Sequence, residues 1–116
     1  MKLIEHYMNG YSDAAQREKL AAHRAAIFYL KKVATALGMA EGSYEVRSNK
    51  GGIAGPGEVT LHGERIYIQI GSSMSDRALV RRCKGRKDYC GERNHYVDVV
   101  DNPLAFAARV AVELNG

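Results

Sequence analysis

The segment RRCKGRKDYCGERN, Arg81 to Asn94, gathers the side chains best suited to chemistry in this 116-residue chain. Between Arg77 and Arg93 stand seven basic residues (Arg77, Arg81, Arg82, Lys84, Arg86, Lys87 and Arg93) against two acids, Asp88 and Glu92. That stretch carries +5 and the whole chain +4, so everything else is close to neutral. A local excess of this kind points to an anionic partner rather than to general solubility. Arginine supplies planar, bidentate donors for phosphate, and lysine adds point charges. Gly85 and Gly91 let the backbone turn where side chains would obstruct it. Tyr89 offers a ring face for stacking, and Asn94 offers a donor and an acceptor to a base edge or a ribose.

A nucleotide needs that combination of charge, flat surface and amide. The plainer alternative is a solvated loop whose charges keep an edge strand from pairing. Charge together with glycines, tyrosine and asparagine favours the anionic ligand. The candidate contacts are Arg81, Arg82, Lys84 and Arg86 on a pyrophosphate, Tyr89 on a base, and Asn94 on the base or ribose. Arg24 and Arg109, on the polar sides of two helices, are candidate partners from a neighbouring element or chain.

Other constellations are weaker. SNKGGIAGPGE, Ser48 to Glu58, can expose successive backbone N–H groups to an anion, with Lys50 beside them. It lacks the Gly-Lys-Ser/Thr ending of a phosphate-binding loop and the strand-to-helix setting of a dinucleotide fold. A flexible connection between strands explains it equally well. Cys83, Cys90 and His95, with His62, do not have the paired spacing of a structural zinc site, and the surrounding cations oppose a metal ion. No metal and no cofactor are therefore expected, and both cysteines read as ordinary thiols. His62 and His95 lie near Glu58, Glu64 and Asp98, and Glu45, Glu58 and Lys50 can be drawn as a nuclease cluster. Nothing in the sequence fixes either geometry, and no Gly-x-Ser-x-Gly turn or His-x-Thr pair occurs. Binding without catalysis is the expectation.

The elements that must position these residues follow from periodicity. A short amphipathic helix over residues 1–10 is followed by a long one from Asp13 to Leu37, stopped by Gly38. Leu20, Ile27 and Ala34, with His23, Leu30 and Leu37, form its apolar seam, flanked by alanines and by a basic row of Arg17, Arg24 and Lys31. That seam suits either the sheet or a second copy of the helix. Alternation predicts strands over 43–48, 58–62, 65–70, 77–83 and 95–100, with a hairpin at His62-Gly63-Glu64 and the basic loop joining the last two. Asn102 as cap and Pro103 at the first helical position open a final helix, with Leu104, Ala107, Ala108, Ala111 and Leu114 on one face. The order is helix, five strands, helix: an α+β fold, an antiparallel sheet with helices on one face.

Composition agrees. With 46% hydrophobic and 26% charged residues, the chain has the balance of one ordinary globular domain, residues 1–116, and not of a disordered segment. No apolar run approaches the roughly 20 residues of a membrane span. Glu5 and His6 interrupt what a signal peptide would keep apolar, so a cytoplasmic protein is expected.

At VRSNKGGIAGPGEVTLHGERIYIQI followed by RRCKGRKDYCGERNHYV, the chain resembles small bacteriophage proteins, in layout the Thoeris anti-defence proteins of the sponge type. Those sequester cyclic ADP-ribose isomers without destroying them. The resemblance extends over most of the chain as length and order of elements. It implies helix, small antiparallel sheet and helix, homo-oligomers with ligand pockets near subunit boundaries, and a site of action in the host cytoplasm. It transfers no functional residues, so the candidates above rest on their own chemistry. Sequence alone thus predicts a binder of a small phosphate-bearing nucleotide, with nucleic-acid binding, or inhibition of a host nucleic-acid-binding complex, through the basic loop 77–93 as the alternative.

Overall fold

The computed structural model describes residues 13–51, 57–71, 77–88 and 91–115. The expected helix over residues 1–10, Tyr89, Cys90 and the centre of the glycine-rich segment lie outside them. Helix α1 (Asp13–Ala36) is followed by five strands, β1 (Glu45–Asn49), β2 (Glu58–His62), β3 (Ile66–Gly71), β4 (Arg77–Arg82) and β5 (His95–Asp98). Helix α2 (Pro103–Asn115) comes last. The strands form one sheet in chain order, every neighbouring pair antiparallel. This is the α+β architecture that the alternation and capping signals predict, with boundaries shifted by one or two residues.

The terminators work as their chemistry demands. Gly38 takes φ 78°, its N–H donating to Thr35 O at 3.0 Å, while Met39 N–H reaches Ala34 O at 3.0 Å. These two bonds close the end of α1 in a left-handed turn that glycine adopts without strain. At the start of α2, Asn102 Oδ1 accepts from Leu104 N at 2.9 Å, ahead of which Pro103 lacks the N–H that would go unpaired.

Both helices pack on one face of the sheet. Val59, Leu61, Ile68, Ile70, Ala78, Val80 and Val97 point to that face and meet Leu30, Val33, Phe106 and Val110, all buried. Tyr29 donates to Val100 O at 2.6 Å and lies tilted against Phe106, its ring centroid 5.7 Å away. Burial pushes its phenol well above the ordinary range, so it remains a donor.

Two helix faces differ from expectation. On α1 the buried positions are Lys19, Ala22, His23, Ala26, Tyr29, Leu30, Val33 and Ala34, whereas Leu20 is partly exposed. The alanines let α1 approach the sheet closely, and the long stems of Lys19 and Tyr29 fill the flanks. Lys19 Nζ donates to Lys50 O at 2.8 Å, and His23 Nδ1 shares a 2.7 Å hydrogen bond with Ser48 Oγ. Of the expected seam, His23, Leu30 and Ala34 are thus buried within the chain, while Ile27 and Leu37 are half-buried. On α2 the buried residues are Phe106, Ala107, Val110 and Leu114, and Leu104 is exposed. The i, i+4, i+8 ridge of Phe106, Val110 and Leu114 carries more apolar area than the alanine face, and it turns that side inward.

Candidate anion-binding face

The opposite face of the sheet carries no helix among the described residues. The pleat places on it Glu45, Arg47 and Asn49 of β1, Glu58, Thr60 and His62 of β2, Tyr67 and Gln69 of β3, Arg77, Leu79 and Arg81 of β4, and Tyr96 and Asp98 of β5. The register aligns these into rows across the strands. One row runs Glu45, His62, Tyr67, Arg81, and ends beside Asn94. The next runs Arg47, Thr60, Gln69, Leu79, Tyr96.

The side chains of these rows are tied to one another. Arg81 lies over the Tyr67 ring, its guanidinium carbon 4.3 Å from the centroid, and Nη1 donates to Asn94 Oδ1 at 3.4 Å. Tyr67 donates its hydroxyl to Gln69 Oε1 at 2.8 Å, and meets the His62 ring edge-on at 5.3 Å. His62 Nε2 and Thr60 Oγ1 share a 2.8 Å hydrogen bond, both residues being buried. Arg47 donates to both oxygens of Glu45, at 3.0 and 3.2 Å, and holds that carboxyl below its ordinary range. Burial, reinforced by Arg47, lowers the basicity of His62, which keeps its ring neutral at pH 7. Burial raises the Tyr67 hydroxyl pKa. A neutral imidazole, a phenol, an amide and two guanidiniums in adjacent rows supply donors, acceptors and flat surfaces without a strong base.

The basic loop leaves the sheet at the end of the Arg81 row. One carboxylate organises it: Asp88 Oδ2 accepts from Lys84 N at 3.0 Å, and Oδ1 from Gly91 N at 2.9 Å. Glu92 N closes the neck onto Arg82 O at 2.9 Å. Gly91 has φ 59°, and a Cβ there would stand 2.7 Å from Arg82 O, so no other residue fits without displacement. Lys84, Arg86, Lys87 and Arg93 are exposed, and among the described residues none of them forms an ion pair. Arg86 Nη1 reaches Gly42 O, in the α1–β1 turn, at 3.5 Å.

The candidates named from sequence thus separate. Arg81 and Asn94 are brought together, with Lys84 and Arg86 on the adjoining loop. Arg82 does not join them: the pleat turns it to the helix face. There its guanidinium donates to Leu114 O and, at 3.2 Å, to Asn115 Oδ1, closing the C-terminal end of α2. Arg24 is exposed on α1, in the layer on the other side of the sheet from Arg81. Arg109 is exposed on α2 and borders a hollow at the β5 edge with Arg77 and Tyr96. Tyr89 lies outside the described residues.

The glycine-rich connection leaves the sheet beside Asn49 and Glu58, at the end opposite the basic loop. Its Gly51 N–H is committed to Asn49 Oδ1 at 3.0 Å. Cys83 is a free thiol that donates to Gly63 O at 3.5 Å, and burial above all raises its pKa. Among the described residues no group of three His, Cys, Asp or Glu side chains is assembled that would hold a metal ion. No described helix is long and apolar enough to cross a membrane.

Sequence reasoning named His62 and Asn94 but missed Arg47, Tyr67 and Gln69. Their alternation marks them as polar-face residues, but only the strand register makes them neighbours of Arg81. The fold and this face define a five-stranded antiparallel meander, helix-covered on one side and presenting on the other a polar surface of balanced charge, with the basic loop at one end. No family model, curated protein or solved structure matches the chain.

Proposed function

We propose that the protein binds a small phosphate-bearing nucleotide on the outer face of its sheet and holds it without turnover. In its most concrete form this is sequestration of a cyclic ADP-ribose-type signal, the counter-defence role of the phage sponge proteins that the chain resembles in layout. The observation that carries the proposal is Arg81, seated on Tyr67 and bonded to Asn94, beside the exposed loop cations Lys84 and Arg86, for which no ion pair is found among the described residues. Arg81 and the exposed Lys84 and Arg86 meet the phosphates. Asn94, Gln69 and Arg47 supply polar contacts to the base and ribose. The lack of a poised nucleophile or strong base among the described residues of this face favours retention over chemistry.

The test is a recovery assay. Purified protein is mixed with a nucleotide panel that includes cyclic ADP-ribose isomers and cyclic oligonucleotides, then filtered and heated, with both fractions read by mass spectrometry. A compound missing from the filtrate and returned intact by heat is the expected result. A compound returned altered would make the protein an enzyme, and no depletion at all would remove the nucleotide from consideration.

Single-stranded nucleic acid is the second candidate ligand, favoured by the absence of any described helix closing over the face. Salt separates the two. A polyanion loses affinity steeply as salt rises, with a slope set by the phosphates contacted, and a mononucleotide or dinucleotide loses much less.

A further inference from the structure

A second groove lies away from the sheet's outer face, between α1 and the start of α2. It is open to solvent, with a volume of about 810 Å³. Phe28 and Leu104 line it and are 62% and 67% exposed. Isolated exposed apolar residues need no explanation, but Phe28 and Leu104 line one groove together with Tyr44 and Pro103 and give it an apolar floor.

Lys31 and Lys32 stand along the same groove. Lys32 Nζ lies 4.9 Å from the centroid of the Phe28 ring, and among the described residues neither lysine forms an ion pair. Among the described residues Glu41 is the single acid lining the groove, against Lys31 and Lys32, so the described wall carries a net positive charge. The N-terminus of α2 opens onto the same space and adds partial positive charge.

We propose that this groove is a second binding site, for a small amphiphilic anion. Its aromatic or acyl body lies on Phe28, Tyr44, Pro103 and Leu104, and its carboxylate, sulfonate or phosphate is held by Lys31 and Lys32. An uncharged apolar ligand leaves both ammonium groups unused, and a wholly polar anion leaves Phe28 and Leu104 in water. Only a molecule with both parts satisfies both walls. The site does not depend on the nucleotide face, because Arg81 and Tyr67 are on the other side of the sheet.

The probe is 8-anilinonaphthalene-1-sulfonate, titrated into the full chain at neutral pH and followed by fluorescence. Saturable one-site binding is expected. Phe28→Ala and the double variant Lys31→Glu, Lys32→Glu should each weaken it about tenfold or more, and Arg81→Ala should leave it unchanged. The uncharged analogue N-phenyl-1-naphthylamine should bind about tenfold more weakly than the sulfonate. Phe28 is mostly exposed, so its removal leaves the core intact. Should Phe28→Ala nevertheless lose helix by circular dichroism, the exposed lysine pair carries the test alone. Absent or unsaturable binding, equal affinity in the lysine variant, loss on Arg81→Ala, or equal binding of the uncharged analogue would each overturn the proposal.

Discussion

Arg81 and Arg82 are adjacent, chemically identical, and put to opposite uses. Arg81 lies on the outer face, its guanidinium over the Tyr67 ring and bonded to Asn94. Arg82, one step along the pleat, turns under α2 and closes that helix's last carbonyl groups. The two faces of the sheet differ in the same sense throughout. One is a dry layer of Val59, Leu61, Ile68, Ile70 and Val80 against the helices; the other is a polar lattice that no described helix covers. A strand's side-chain period of two makes a polar surface and a core from one stretch of sequence. Stability should therefore reside on the helix face and ligand affinity on the outer face, each largely independent of the other.

That separation can be broken most forcefully in the core. Leu61→Ala empties a fully buried position and should cost about 2–5 kcal/mol in urea unfolding, while the folded fraction binds ligand with unchanged affinity. A parallel loss of affinity would mean that the faces are coupled.

Gly91→Ala comes next, because Gly91 joins the two regions at the neck of the loop. Its positive φ and the Cβ contact with Arg82 O should cost about 1–3 kcal/mol, and ligand affinity should fall with it as the loop shifts. Here alone one change should move both readouts.

Arg82→Ala should cost about 1 kcal/mol by the same unfolding measurement, since it removes a charge-assisted contact at a helix terminus that is partly solvated. Its effect on ligand affinity should stay within about twofold.

The smallest effect is in pH. Burial lowers the His62 pKa, so the folded protein resists a proton that the unfolded chain accepts. Stability should therefore fall as pH drops below about 6.5, and stop falling once folded His62 itself is protonated. Thermal melts of His62→Gln between pH 7 and 5 should show a shallower decline than the wild type; identical declines would place the titration elsewhere.

Much of the fold was legible in the chain. Strict alternation over Glu58–His62 and Ile66–Ile70 marks strands, and Gly38, Asn102 and Pro103 mark helix ends by chemistry that needs no tertiary context. The helix faces were less legible. The seven-residue spacing of Leu20 and Ile27 competes with a stripe whose members include Lys19 and Tyr29, residues that bury long stems and keep a polar tip bonded.

The site was only half legible, because charge counting is blind to the pleat. Seven cations between Arg77 and Arg93 read as one patch, yet Arg77 sits at the far end of β4 and Arg82 on the other face. Asp88 entered that count only as a charge to subtract, whereas its two oxygens organise the loop. Arg47, Tyr67 and Gln69 lie 12 to 34 residues from Arg81 in sequence, and nothing short of the strand register brings them to it.

The most direct test of the account is to measure, side by side, the affinity of wild type, Arg81→Ala and Arg82→Ala for the nucleotide that the recovery assay depletes. The account predicts a loss of tenfold or more for Arg81→Ala, from a charge-assisted contact worth about 1.5–3 kcal/mol, and near-wild-type binding for Arg82→Ala. Equal losses for the two, or none for Arg81→Ala, would contradict it.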